Sequence, residues 1–220
     1  MNAITIDIET VPDEAFLFDE DARAIRYESI QIPANYKKEG TIERYRNDRM
    51  ADDDAKGAIC PLNGRIVGIS WKQQLTEGTT TFVETDPAKE RELLLKFYDS
   101  LPEFPCMVAG WRIRGFDLPF IELRTALHKL GSPCPWWPHP SHPHYRRRIF
   151  DLADHTQFYP GPAYKLEYWL KRFGLPAKLS SGRLVETMTP DDIYAYVSND
   201  VEVESELITH FLPFLASETS

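Results

Sequence analysis

Two carboxylates, Asp7 and Glu9, stand inside the apolar run ITIDIET, Ile4 to Thr10. Side chains two apart on a strand point to the same side, so both acids look into one place if the other face is covered. Without a counter-charge they repel, and burial raises their pKa values. A divalent metal is the natural partner, with an Arg pair as the alternative. Two further acids have similarly apolar neighbours. Asp117 opens DLPFIEL, where by itself it reads as an ordinary helix N-cap. Asp200 lies in a stripe with Ile193, Tyr196, Val197, Val203, Glu204 and Leu207, spaced by threes and fours as on one side of a helix. A charged Asp is almost never buried unpaired, and alone Asp200 would be expected to meet an Arg from a neighbouring element. As a set, the four acids have no Cys or His close by in the chain. Oxygen donors of this kind suit Mg²⁺ or Mn²⁺ rather than zinc. Two such ions about 4 Å apart form a clamp for in-line displacement at phosphorus. Tyr196, one turn before Asp200, can present its hydroxyl beside that carboxylate.

The elements that must position these groups alternate between strand and helix. Ala3 to Thr10 reads as a first strand, ended by Val11-Pro12. Arg65 to Trp71 and Thr79 to Glu84 read as two more, joined through TEG as in an antiparallel hairpin. Asp86-Pro87 starts a helix to about Ser100, with Leu93, Leu94, Phe97 and Tyr98 on its apolar side. Pro105 to Trp111 is a short strand. Asp117 to Gly131 reads as a helix with Phe120, Leu123, Leu127 and Leu130 on one face and Gly131 as the stop. Arg146 to Ala153 reads as a last strand, then a helix from about Tyr164 to Phe173. The final helix runs from Pro190 to about His210, with Thr189, Pro190 and Asp192 forming a capping box. Such interleaving predicts an α/β layer fold around a mixed sheet.

The chain has 220 residues, enough for one sizeable domain over 1–220, with a variable insertion around residues 13–60. Within that stretch, Tyr36 to Met50 reads as one or two short surface helices. Their Lys37, Lys38, Arg44, Arg46 and Arg49 either meet a phosphate backbone or belong to a solvated face of mixed charge. Apolar residues make up 42%, which predicts a packed core. The net charge of −9 does not advertise a nucleic-acid binder, although local patches and site metals can offset it. Cys60, Cys106 and Cys134 are widely spaced, with no CxxC pair, as in a reducing compartment. Acids by position 7 speak against a signal peptide, and no apolar run is long enough to span a membrane. A cytoplasmic protein is expected.

Three motifs in order carry a resemblance. DIET (Asp7 to Thr10), GWRIRGFDLPFI (Gly110 to Ile121) and YVSND (Tyr196 to Asp200) resemble those of the DEDDy-type 3′–5′ exonuclease superfamily, which has a ribonuclease H-like fold. The chain is especially similar to the exonuclease domain of family B DNA polymerases and its stand-alone relatives. The tyrosine four residues before the aspartate marks this branch, and PLNGRIVGISW (Pro61 to Trp71) resembles the second strand of the stand-alone proteins. The resemblance implies that Asp7, Glu9, Asp117 and Asp200 hold two Mg²⁺ or Mn²⁺ ions, with Glu9 also placing the terminal nucleotide. It implies that Tyr196 orients the attacking water; an unperturbed pKa near 10 places it poorly as a base. The implied substrate is a single-stranded 3′ end, DNA ahead of RNA. No polymerase domain follows, so a proofreading role needs a polymerase or repair partner.

Relatives often carry an asparagine where this chain has Arg112, which can fork onto a phosphate. Arg146 and Arg148, on one side of the expected last strand, and Arg183, in SSGRLVETM, are further candidate backbone contacts. Trp136 and Trp137 either stack on unpaired bases or pack, with packing favoured for at least one. Cys134, His139, His142 and His144 fit no common zinc spacing. Asp151 and Asp154 read as turn residues at a strand end. Two other functions compete with an exonuclease: a binding or scaffold protein with little chemistry, and an endonuclease on the same fold.

Overall fold

The computed structural model describes residues 2–131, 134–138, 148–159, 161–179 and 184–216. The chain divides into two compact units, Met1–Glu9 with Ile66–Ser220, and Thr10–Arg65. Strands β1 (Ala3–Pro12) and β2 (Gly64–Gln73) each run from one unit into the other.

The larger unit is built on a five-stranded sheet of order β3-β2-β1-β4-β5, with β3 at Thr80–Val83, β4 at Met107–Gly110 and β5 at Ile149–Asp151. β1, β4 and β5 are parallel, in register at Thr5↔Ala109 and Gly110↔Asp151. β2 and β3 are antiparallel, pairing Ile69 with Phe82. The sheet is therefore mixed, and its architecture is the ribonuclease H-like α/β fold expected.

Alternation along β1 decides what each face does. Ile4, Ile6 and Ile8 belong to a core with Leu93, Leu94 and Phe97 of α4 (Glu90–Ser100) and Phe120 and Ile121 of α5 (Asp117–Leu127). Trp136 and Trp137 are both buried in this core, Trp137 meeting Phe97 edge-on at 5.5 Å. They take the packing role of the two open to them. The second core joins Ala109 and Phe150 to Leu166 and Leu170 of α7 (Leu166–Arg172) and Val203 and Leu207 of α8 (Pro190–Thr209). Thr189 caps α8 with the reciprocal Asp192 bond, as its sequence predicts.

Two expectations need correction. α5 ends at Leu127, and Leu127 is exposed; its buried face is Asp117, Leu118, Phe120, Ile121, Arg124 and Thr125. The cause is a cation in the interior. Arg124 forks onto Glu90 and turns a polar position inward. β5 (Ile149–Asp151) stops before Ala153, because the Asp151 side chain accepts from Ala153 N and Asp154 N and so starts α6 (Leu152–Thr156); residues 146 and 147 lie outside the described ones.

The smaller unit holds α1 (Glu14–Leu17), α2 (Glu20–Ser29) and the 17-residue α3 (Glu39–Ala55). α3 is one helix running past Met50, and α2 lies where the sequence pattern is weak. Arg23 and Arg26 of α2 both bind Asp54, Arg46 lies over the Tyr27 ring, and Arg49 pairs with Asp52. Of the five cations singled out in the sequence, Arg46 and Arg49 are thus engaged within this unit, as on a face of mixed charge.

Candidate metal centre

β1 brings Asp7 and Glu9 past the last of its residues registered with β4, at the C-terminal ends of the parallel strands. Ligands bind to open α/β sheets at this edge. With Ile4, Ile6 and Ile8 committed to one core, both acids project from the other face. There α8 supplies Asp200, and carboxylate oxygens of Asp7, Glu9 and Asp200 all lie within 4.8 Å of one another. Gly68 on β2 makes the approach of α8 possible. A Cβ there would stand 2.9 Å from Ile193 Cγ2 and 3.4 Å from Glu9 Cβ.

Asp117 stands beside this group rather than in it. It is the first residue of α5, is buried, and its Oδ1 accepts from the Ile8 backbone N–H at 3.2 Å, between the two β1 acids. Tyr196 is half-buried one turn before Asp200.

Two charged groups complete the site that no motif pointed to. Lys178 Nζ lies 2.6 Å from Asp200 Oδ2 and 3.5 Å from Glu204 Oε1. Glu204, 2% exposed, also accepts at Oε2 from Trp111 N at 3.0 Å. Glu204 was visible in the α8 stripe as a second acid one turn after Asp200. Lys178 sits in an irregular segment where no periodicity marks it. The counter-charge of Asp200 is thus a lysine, where an arginine was the expectation from that residue alone.

Among the described residues one lysine faces five acids, and burial raises the pKa of every one of the acids. Burial raises Asp7, helped by Glu204 and Asp117. Burial and Asp200 push Glu9 up to about 8. Asp117 is raised by burial and by Glu204, and Asp200 by burial against the pull of Lys178. Glu204 is pushed up to about 7, again by burial. Burial works to lower Lys178, but Glu204, Asp7 and Asp200 outweigh it and hold the lysine above its ordinary value. Tyr196 is raised by burial and then by Asp200, Glu9 and Asp7, so its hydroxyl lies within the field of the cluster.

The residues fit a divalent cation. Asp200 Oδ1 is buried with no hydrogen-bond partner among the described residues, three carboxylates converge, and their repulsion is only partly relieved by Lys178. A hard cation takes such oxygens, and its charge lowers the pKa values that the acids themselves raise.

The loop after β4 is held from below by Asp151, whose carboxylate accepts from Arg112 N at 3.1 Å and Arg114 N at 3.0 Å. Asp151 is a frame for this loop and for α6 (Asp154 instead pairs with Arg114 at 2.7 Å). Arg112 is exposed and takes a left-handed φ of 59°. Arg148 Nη1 donates to the Trp136 carbonyl at 2.9 Å, so it spends a donor on the fold. Arg146 and Arg183 lie outside the described residues, as do His139, His142 and His144; Cys134 is buried.

The family described as "Predicted 3'-5' exonuclease related to the exonuclease domain of PolB" matches residues 62–215. The chain belongs to this family. The matched span contains Asp117, Lys178, Tyr196, Asp200 and Glu204 and begins after Asp7 and Glu9. Among solved structures, the chain is similar to the family B DNA polymerase from the hyperthermophilic archaeon Pyrobaculum calidifontis, with 18% identity and a TM-score of 0.59. That match covers 97% of this chain and 25% of the polymerase, so the chain spans about a quarter of its length. At this identity the likeness shows the fold. No curated protein matches the chain. For a member of this exonuclease-related family, the acid cluster is consistent with a metal-dependent nuclease.

Proposed function

We propose that this chain is a 3′–5′ exonuclease that releases nucleoside monophosphates from single-stranded ends, DNA ahead of RNA, using two Mg²⁺ or Mn²⁺ ions. The observation that carries the reading is the convergence of Asp7, Glu9 and Asp200 on one spot, within whose field the Tyr196 hydroxyl lies. When bound, the ions supply a nucleophile at neutral pH and positive charge for the leaving 3′ oxygen.

The chain's own groups do the rest. Asp7, Glu9 and Asp200 would hold the ions, with Asp117 completing the set from the start of α5. Tyr196, held above its ordinary pKa, keeps its proton and orients the attacking water as a hydrogen-bonding group. Lys178 keeps its charge beside Asp200 and limits the repulsion among the acids. Arg112, exposed at the loop after β4, would fork onto a backbone phosphate.

A second reading has one observation in its favour. Lys178 already sits on one oxygen of Asp200, so the site has an internal cation, as a binding protein with little chemistry would. The identity of the product separates the readings. Incubated with single-stranded DNA or RNA and Mn²⁺, the exonuclease yields nucleoside 5′-monophosphates by chromatography, and DNA is consumed faster. Short oligonucleotides would show an endonuclease, and intact strand the binding protein.

A further inference from the structure

Trp136 and Trp137 are buried, yet the larger unit has an open aromatic surface elsewhere. Phe158, Tyr159, Tyr164 and Tyr168 are 84%, 46%, 39% and 44% exposed. Tyr164 stacks on Tyr168 with centroids 3.8 Å apart and planes 12° apart. Trp169 meets both rings nearly at right angles, at 6.4 and 6.0 Å. Its own indole Nε1 is buried without a hydrogen-bond partner among the described residues. Apolar exposure scattered singly is ordinary, but this is a group of rings. Rings held by their neighbours lose little entropy when a flat ligand settles on them.

The group continues into a cavity of about 170 Å³ lined by Trp111, Arg112, Gln157, Tyr159 and Tyr164. Drug-sized sites begin near ~300 Å³. This one has the room of a single flat ring system, with Arg112, Thr156 and Gln157 among its polar groups. It borders the acid cluster through the backbone, since Trp111 N donates to Glu204, which in turn faces Lys178. Arg112 makes no ion pair with any described residue, and its left-handed backbone is pinned by Asp151. Strained residues held in this way collect at ligand clamps.

We propose that this cavity and the stacked Tyr164–Tyr168 pair form a platform for unpaired bases next to the 3′ end of a single-stranded nucleic acid, with Arg112 on a neighbouring phosphate. The proposal rests on the nuclease reading of the adjacent site. The occupant is a single strand because a paired base already has both faces stacked, and an unpaired one does not. The net charge of −9 points the same way. In so acidic a chain stacking adds affinity that a few phosphate contacts would not, and a shallow salt dependence is the expected outcome.

The test is a cycle in protein and ligand. A 5′-labelled DNA strand of about 12 nucleotides, and the same strand abasic near its 3′ end, are titrated by fluorescence anisotropy with Ca²⁺ in place of Mg²⁺. The intact chain binds the abasic strand at least about ten-fold more weakly, and Tyr164→Ala or Tyr168→Ala weakens the normal strand about five- to ten-fold. Neither substitution changes binding of the abasic strand by more than about two-fold. A second measurement needs no variant: 2-aminopurine near the 3′ end loses fluorescence when the intact chain binds. Equal binding of the two strands, or unquenched 2-aminopurine, overturns the platform. Cleavage by the intact chain is scored separately. Quenching without cleavage upholds the platform and removes the exonuclease; cleavage with no preference for bases does the reverse.

Discussion

Lys178 Nζ lies 2.6 Å from Asp200 Oδ2, while Oδ1 of the same carboxylate is buried with no hydrogen-bond partner among the described residues. Half of this carboxylate is satisfied by Lys178, and no described residue hydrogen-bonds the other half. One lysine does not neutralise Asp7, Glu9, Asp117, Asp200 and Glu204, all of whose pKa values are raised.

Asp7→Asn separates stability from activity. Removing one buried charge relieves repulsion, so the metal-free protein melts at a higher temperature at pH 8. The same change removes a ligand, and single-turnover cleavage drops to near background. A lower melting temperature with activity retained would show that Asp7 is a structural acid.

The pH profile of metal-free stability has two limbs of opposite sign. Glu9 and Glu204 rise from 4.5 in the unfolded chain to about 8 and about 7 when folded. Between those values the folded state holds protons that the unfolded chain has released, so stability falls as pH rises from about 4.5 through 8. Glu90 does the opposite. Burial works to raise it, but hydrogen bonds from Arg124 and His128 hold it below 4.5, and its contribution is lost as pH falls through that lowered value. Urea titrations across pH should give a maximum on the acid side of neutrality, and Mg²⁺ or Mn²⁺ should restore the loss at pH 8.

Lys178→Met keeps the stem and removes the charge. Without metal it costs on the order of 3 kcal/mol at pH 8, as when a buried pair loses one member. Added Mn²⁺ then raises the melting temperature more than in the intact chain. A variant that melts with the intact chain in the absence of metal, or that gains no more from Mn²⁺, would show that Lys178 does not balance these acids.

Tyr196→Phe leaves metal-induced stabilisation unchanged and slows single-turnover cleavage by roughly 100-fold, the scale of a lost orienting hydrogen bond in a transition state. An unaltered rate would remove Tyr196 from the mechanism.

Gly68→Ala tests how closely α8 must approach the sheet. Its Cβ would lie 2.9 Å from Ile193 Cγ2, on the helix that carries Tyr196 and Asp200. Overpacking of this kind costs about 1–3 kcal/mol, and displacement of α8 should lower activity more than Asp7-side changes of equal stability cost that leave α8 in place.

How much of this was legible in the sequence depends on whether a residue sat in a periodic element. Asp7 and Glu9 could be read because a strand repeats every two residues and their neighbours are isoleucines. Asp200 could be read because a helix stripe surrounds it, and Thr189 and Asp192 announced where that helix starts. Lys178 follows Gly174, Leu175 and Pro176 in a segment with no period, so nothing local revealed that it would turn toward an acid 22 positions away. The inward face of α5 was misread because Arg124 is buried only by virtue of Glu90, a partner on another helix. The Trp136-Trp137 pair is conspicuous in the sequence as a stacking candidate, whereas the open rings lie between Phe158 and Tyr168 and converge only in the fold.

The most direct measurement is the length distribution of a 5′-labelled single strand after incubation with the intact chain and Mg²⁺ or Mn²⁺. The account predicts a ladder shortening one nucleotide at a time from the 3′ end, abolished by EDTA and by Asp7→Asn. A strand left at full length by folded, metal-loaded protein, or one cut internally, would contradict it.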